Sequence, residues 1–220
     1  MNPDVIVLEE VNWPLSKYRS SDKAIRSKLY SMKLFYYVYT EGLENIVASK
    51  YPFESININL GVFNREYRHA LLCKFDCDVY QGYFIGTHLD VYDNSGLTRE
   101  KQINMILSKV DKNEKVIIAG DFNSLRSQDY SVIQLNRIVD EDTERGVETV
   151  EEVIPILEGC GYIDSFISAY LKPPTVTVWS NRRVDYIYGK NISFKYSKVV
   201  DALDFKKSAS DHYLVWADTL

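Results

Sequence analysis

The residues best able to do chemistry in this sequence sit where short apolar runs end. Residues 115–124, KVIIAGDFNS, run as an apolar strand into Gly120 and then present Asp121, Phe122 and Asn123. At a strand end Asp121 and Asn123 share one face while Phe122 turns into the core. A plain turn would also use Gly, Asp and Asn. Residues 83–90, YFIGTHLD, end in the same manner on Thr87, His88 and Asp90. In residues 182–188, RRVDYIY, Asp185 stands between Val184 and Tyr186. A carboxylate inside a strand needs a partner. His212, from Ser210-Asp211-His212, is one, because a carboxylate on one ring nitrogen fixes the tautomer and raises the basicity of the other. Arg182 and Arg183 are the competing partners. The fourth stretch, residues 4–11, DVIVLEEV, closes a strand on Glu9 and Glu10. Strand alternation sends only one of them into a given site.

Acids, an amide and imidazoles together suit one chemistry. Carboxylate and amide oxygens are hard donors for Mg²⁺ or Mn²⁺, whereas a zinc site would draw on more His and Cys than this chain offers. Of its three histidines, His69 lies in the alternating run 68–75 without acidic company and reads as a packing or surface residue. Cys73, Cys77 and Cys160 are an odd number without CxxC spacing, as expected of reduced thiols in a cytoplasm-like compartment.

Strands must carry these groups. Apolar or alternating runs at 5–8, 34–39, 70–75, 83–86, 116–119, 184–188 and 213–217 are expected as strands. Between two of them, Thr98 is placed to cap a helix that buries Ile103, Ile106, Leu107 and Val110 and turns Arg99, Glu100 and Lys101 outward. Thr149 with Glu152 reads as a capping box for a second helix ending near Gly159 or Gly161, which Pro155 kinks or delays. Residues 126–148 are expected as a long loop, with a short helix as the alternative. Many strands with few helices, and no strict βαβ alternation, point to two packed sheets with helices outside.

In order, LEEV, THLD, GDFNS, RVDYIY and SDHYLV resemble the motif series of the endonuclease/exonuclease/phosphatase superfamily, from Asn2 to the C-terminus. The resemblance implies an α/β fold, a two-layer β-sandwich flanked by helices (DNase I-like), forming a single catalytic domain over residues 1–220. It implies that Glu10 binds Mg²⁺ or Mn²⁺, with Glu9 where the family often has Gln. Asp121 and Asn123 would bind or orient water, metal and phosphate; Asp185 would orient His212; Asp211 would be an auxiliary metal ligand; and His88 would donate to a phosphate oxygen or the leaving group. Either His212 or Asp121 would be the base. Family members begin with a further strand, bearing an active-site Asn, and a helix. This chain starts at the strand after those elements, so the resemblance implies an N-terminally truncated version.

The bulk numbers bound these expectations. At 220 residues, with 45% hydrophobic and 26% charged content, the chain has room for one domain. A net charge of −5 excludes a global basic field for unspecific nucleic-acid binding. Lys172, Arg182, Arg183, Lys190, Lys206 and Lys207 remain as a candidate local rim or as solvated surface, and Trp179 as a stacking or a packed residue. No apolar run approaches the roughly 18–20 residues of a membrane span. The expected partner is a phosphate ester, with nucleic acid and phospholipid head groups as the classes in view, met by a soluble monomer. The expected activity is metal-dependent phosphoester hydrolysis; the alternative is a silent relic or binding module that keeps the fold.

Overall fold

A computed structural model describes residues 2–11, 21–40, 44–63, 66–200 and 210–220. In chain order they form β1 (Val5–Glu9), α1 (Ser21–Ser31), β2 (Tyr36–Tyr39), β3 (Asn45–Ser49), β4 (Glu54–Phe63), β5 (Glu66–Cys77), β6 (Tyr80–Thr87), α2 (Leu97–Leu107) and β7 (Val116–Asp121). A 3₁₀ turn (Ser127–Asp129), α3 (Val132–Glu144), α4 (Val153–Gly159), β8 (Ile163–Asp164), α5 (Ser165–Ser168), β9 (Asp185–Lys190), β10 (Phe194–Val200) and β11 (Leu214–Thr219) follow.

Strand alternation builds the layers. In β1 and β3, Ile6, Leu8, Ile46 and Ala48 face outward and meet Leu29 of α1 and Leu34, while Val5, Val7 and Val47 face inward. The inward set packs on Leu71, Cys73, Phe75 and Phe84 of β5 and β6. The far face of those strands carries Ala70, Leu72 and Ile85, which with Ile118, Tyr186 and Tyr188 receive Ile103 and Ile106 of α2 and Ile154 and Leu157 of α4. The result is helix, sheet, sheet, helix. The first sheet is antiparallel in the order β1-β3-β2; the second runs β4-β5-β6-β7-β9-β8, with β6 and β7 parallel and the other pairs antiparallel. Strands β10 and β11 form an antiparallel ribbon.

Each apolar run named above lies at least partly in a strand. Strands β3, β4, β8 and β10 add to them. β3 is buried throughout and β4 is mostly exposed, so neither shows the half-buried alternation that marks a strand in sequence.

Three helix expectations are corrected. Thr98 does not cap α2: Asp93 does so from outside, accepting the N–H groups of Ser95 and Thr98 at 2.9 and 2.7 Å. Arg99 is not outward but buried, because its guanidinium pairs with Glu152 and donates to the Asp90 and Asp93 carbonyls. That pairing removes Glu152 from any capping box, and Thr149 donates instead to Asp142 Oδ2 at 2.7 Å. α4 accordingly starts late, with Pro155 in its first turn, where a missing N–H costs little. Within residues 126–148 the chain forms the 13-residue α3, started by a capping box in which Ser131 Oγ and the Gln134 side chain exchange hydrogen bonds with each other's backbone N–H. Only Ile138 and Asp142 of α3 are buried, which leaves little periodicity to see.

Asp93→Ala is expected to destabilise the protein by about 1 kcal/mol, as loss of a helix N-terminal acceptor does. Against a burial penalty, hydrogen bonds from Ser95 and Thr98 hold the Asp93 carboxyl well below the usual carboxylate range. Its contribution is therefore present above the unfolded carboxylate value and is lost as pH falls through the folded one. Urea midpoints of wild type and variant at neutral and strongly acidic pH check this; equal midpoints at neutral pH would refute it.

Candidate active site

The site lies where β1, β6, β7 and β9 end together. Val5 and Val7 point toward the second sheet, so the same alternation turns Glu9 toward it. Both oxygens of Glu9 accept the Asp121 N–H, at 3.0 and 3.1 Å, tying β1 across the sandwich to the end of β7. Gly120 makes this approach possible. Its φ is +147°, and a Cβ there would lie 1.8 Å from the Thr87 carbonyl and 2.3 Å from Glu9 Oε1.

Glu10 follows with φ +50°. That left-handed residue ends the strand, and Glu9 is the one of the pair that faces Asp121, while Glu10 lies at the rim. The Glu10 carboxylate is half exposed and lies 3.8 Å from His88 Nδ1.

β7 and β9 set Asp121 directly opposite Asp185. Like charges in register repel. His212 closes the pair: its Nδ1 lies 2.9 Å from Asp185 Oδ2, and its Nε2 lies 4.0 Å from Asp121 Oδ2. Of the competing partners for Asp185, Arg182 goes to Asp142, and Arg183 goes to Asp129 and Asp164. Phe122 is fully buried and stacked on Tyr186, with ring centroids 5.4 Å apart. Asn123, at φ +46°, therefore returns to the face of Asp121; its N–H donates to Asp121 Oδ1 at 2.8 Å and its amide to the Leu89 carbonyl at 3.1 Å.

His88 faces Asp121 from the end of β6, with Nε2 3.7 Å from Asp121 Oδ2. Its Nδ1 lies 3.3 Å from Arg68 Nη1. Arginine only donates, so Nδ1 accepts and the proton of the neutral ring sits on Nε2, facing Asp121. Arg68, buried and paired with Glu44, is a site residue that no motif announced. Glu9 is a second: the sequence placed it beside the site without deciding its direction. His69 stays out of the site, with Nδ1 2.9 Å from Asn57 Oδ1.

Charge follows position. Burial, then the charge of Asp185, pushes the Asp121 carboxyl up to about 8, despite opposition from His212 and the Asn123 N–H. Burial, then Asp121 and Asp185, also raises Glu9 well above its usual value. Burial disfavours a charged His212, but its hydrogen bond to Asp185 and the nearby acids outweigh that and lift it to about 9. His88 moves the other way, lowered by burial and then by Arg68 and His212. One imidazole is thus held charged and the other neutral, on either side of one carboxylate.

Asp121, Asp185 and His212 offer ligand atoms within 4.8 Å of one another. Glu10 and Asp211 lie outside that set, Asp211 beside His212 on the wall of an adjoining cleft. Among the described residues, the basic positions named above do not gather into one rim. Arg183 is fully buried, Arg182 is mostly buried, Lys190 lies over the Tyr162 ring, and Lys206 and Lys207 fall outside the described residues. Among the described residues no helix is long and apolar enough to cross a membrane.

Solved structures with this fold come from several sources. An endonuclease/exonuclease/phosphatase from Beutenbergia cavernae superposes with a TM-score of 0.70 at 18% identity, covering 99% of this chain and 62% of its own. The chain thus spans less than two thirds of that protein. D. rerio TDP2, complexed with single-strand DNA product, gives 0.65 at 19% identity over 98% and 85%. The human Nocturnin catalytic domain with bound sulfate gives 0.63 at 17% over 99% and 80%. No curated protein sequence matches significantly. At such identities these likenesses establish the fold, an α/β sandwich of the DNase I-like kind. The family profile reaches further, matching residues 1–212, and with it the chain belongs to the endonuclease/exonuclease/phosphatase family.

Proposed function

We propose that this chain hydrolyses a phosphoester by divalent-metal-dependent, in-line attack of water. The observation that carries this reading is the opposed pair Asp121 and Asp185, closed by His212. Two carboxylates side by side at a buried strand end call for a cation, and burial first, then the neighbouring acids, raises the Asp121 and Glu9 carboxyls. An oxygen-rich donor set fits Mg²⁺ or Mn²⁺ better than zinc. Asp121 and Asp185 are the nearest candidates to hold the ion, with Glu10 and Asp211 flanking. Bound there, it would neutralise phosphate charge and stabilise the leaving oxygen.

The remaining roles belong to the chain's own groups. His212, kept protonated by Asp185, serves as a charged donor to a phosphate oxygen. Asp121, whose Oδ2 lies between His88 Nε2 and His212 Nε2, takes the proton of the attacking water as general base. The Nε2–H of His88 donates from the other side of Asp121, and the Asn123 amide orients the phosphate. A phosphate ester is the substrate; nucleic acid and phospholipid head groups both satisfy this constellation.

Purified protein with Mg²⁺ or Mn²⁺ is expected to hydrolyse a generic phosphodiester such as bis(p-nitrophenyl) phosphate. A chelator should abolish the activity, and His212→Ala should lower kcat by about 10²–10⁴-fold. Absence of hydrolysis with either metal, together with no saturable metal binding by calorimetry, would overturn the reading.

A further inference from the structure

On the outer side of the first sheet, α1 and β2 together build a surface of cations and aromatic rings. α1 packs Ile25, Leu29 and Met32 against that sheet. Lys23, Arg26 and Tyr30 follow one another at i, i+3 and i+7, so they form one stripe along the flank of the helix. All three are exposed, Tyr30 over 72% of its surface. The helix then ends in a fixed turn. The Leu34 N–H donates to the Leu29 carbonyl at 3.0 Å and the Lys33 N–H to the Tyr30 carbonyl at 2.9 Å, a paired closure that sets exposed Lys33 in the left-handed conformation at φ +61°. Phe35, just beyond, meets the Tyr30 ring edge-on with centroids 5.3 Å apart and is itself 52% exposed.

β2 continues this surface. Tyr37 pairs with Ala48 and Tyr39 with Ile46, and those partners face α1, so both tyrosines stand on its side of the sheet. The Arg26 guanidinium lies 5.7 Å from the centre of the Tyr37 ring and joins helix to strand. Residues 21–39 hold Lys23, Arg26, Lys28 and Lys33 against Asp22 alone, in a chain whose net charge is −5. A cationic area on an acidic protein calls for an anionic partner. The rings decide which. A nucleic-acid base needs an open ring face to stack on, but Arg26 covers one face of Tyr37, and Tyr30 and Phe35 are engaged edge to face. A protein partner would have to cover lysines, which interface cores are poor in, and a second copy would bring like charge against like. A lipid surface suits both kinds of residue. Aromatic rings settle at the level of the head groups, and lysine stems lie among them while their ammonium groups reach lipid phosphates.

We propose that the α1–β2 surface docks this protein onto an anionic lipid bilayer, with Tyr30, Phe35 and Tyr39 entering the head-group layer and Lys23, Arg26 and Lys33 meeting its negative charge. The docking is independent of what the active site cleaves. It needs neither metal nor turnover, so the hydrolase reading stands or falls without it. Tyr39 pairs with Ile46, the neighbour of Asn45, which pairs with Glu9, so the docked surface runs to the end of the sheet that carries the site. With so few cations the binding is reversible, weakened by salt and dependent on charged lipid.

The test is co-sedimentation of metal-free protein with vesicles of phosphatidylcholine, alone or mixed equally with phosphatidylserine. Wild type is expected to bind the mixed vesicles about tenfold or more tightly than the neutral ones, and to lose that advantage in high salt. Lys23→Gln with Lys33→Gly should weaken binding to the mixed vesicles by about tenfold or more. Glycine suits the left-handed turn at position 33, so this pair keeps the fold. Phe35→Ser should weaken binding but leave its salt dependence in place. Lys101→Gln with Lys109→Gln makes an equal change of charge at exposed positions on and just after α2, which packs against the other sheet, and should leave binding unchanged. Wild type that ignores the mixed vesicles, equal losses in the two lysine pairs, or full binding by Phe35→Ser would overturn the proposal. Binding of a thymidine octamer, or dimerisation, that is lost in the Lys23 and Lys33 variant while vesicles are not bound would assign the surface to another partner and overturn it as well.

Discussion

Exchanging Asp185 for asparagine is expected to lower kcat by about 10²–10⁴-fold while leaving the fold intact. Such losses follow when the acid that orients a functional imidazole is replaced by its amide. The same exchange should move the His212 pKa from about 9 down toward the ordinary imidazole value of 6.5, because the hydrogen bond and charge that lift it both come first from Asp185. The Asp121 carboxyl should fall with it, since Asp185 is the largest charge raising it after burial itself. NMR titration of the His212 ring in metal-free protein reads the shift directly. The sign of the stability effect follows. A histidine raised by its partner stabilises the fold fully below the unfolded imidazole value and loses that contribution as pH rises through about 9. Asp185→Asn should flatten this part of the stability profile. An unmoved His212 titration would show that the short contact between the two is not formed in solution.

The second large effect is structural. Arg183→Met is expected to cost about 3–5 kcal/mol, the range for breaking a buried ion pair by removing one partner. Arg183 is fully buried, with Nη1 2.6 Å from Asp129 Oδ2, Nη2 bonded to Asp164 Oδ2, and its guanidinium 4.4 Å from the centre of the Tyr186 ring. Its backbone N–H also donates to the Tyr130 hydroxyl at 2.7 Å. Methionine fills the space but leaves the interior Asp164 without its cation and Asp129 with Arg126 alone. Adding Asp129→Asn and Asp164→Asn to the methionine variant should recover much of the loss, because the uncompensated charge is the main penalty. Chemical denaturation measures both variants; a loss under about 1 kcal/mol would contradict this account. Since Asp185 is two residues further on, hydrolysis should weaken together with stability.

The contrast between these two arginines and aspartates shows where sequence reading reaches its limit. Arg182, Arg183 and Asp185 are neighbours in RRVDYIY, and each had the same choice of partners on paper. Strand alternation would put Arg183 and Asp185, two positions apart, on one face. β9 begins only at Asp185, which joins Asp121 and His212, while Arg183, just before the strand, turns to acids from the 3₁₀ turn and from β8, elements with no sequence signal of their own. Arg99 repeats the lesson. A charged residue in a helix reads as outward until a distant acid, here Glu152, supplies a reason to bury it.

The sequence by itself determined the chemistry and the frame that holds it. Apolar runs ending in Glu, His, Asp-Phe-Asn and Asp-His specify strands with hard donors at their tips, and Phe122 turned inward as strand geometry requires. These are local properties, set by alternation and residue type within a few positions. Only the tertiary structure decided which glutamate faces Asp121, because that depends on the last strand residue, a left-handed turn at Glu10 and the glycine opposite it. It alone showed the indole of Trp179 standing in the cleft rather than packed away. Burial, ion pairing and pKa arise between segments brought together from the two sheets, and no pattern along one segment records what the other will supply.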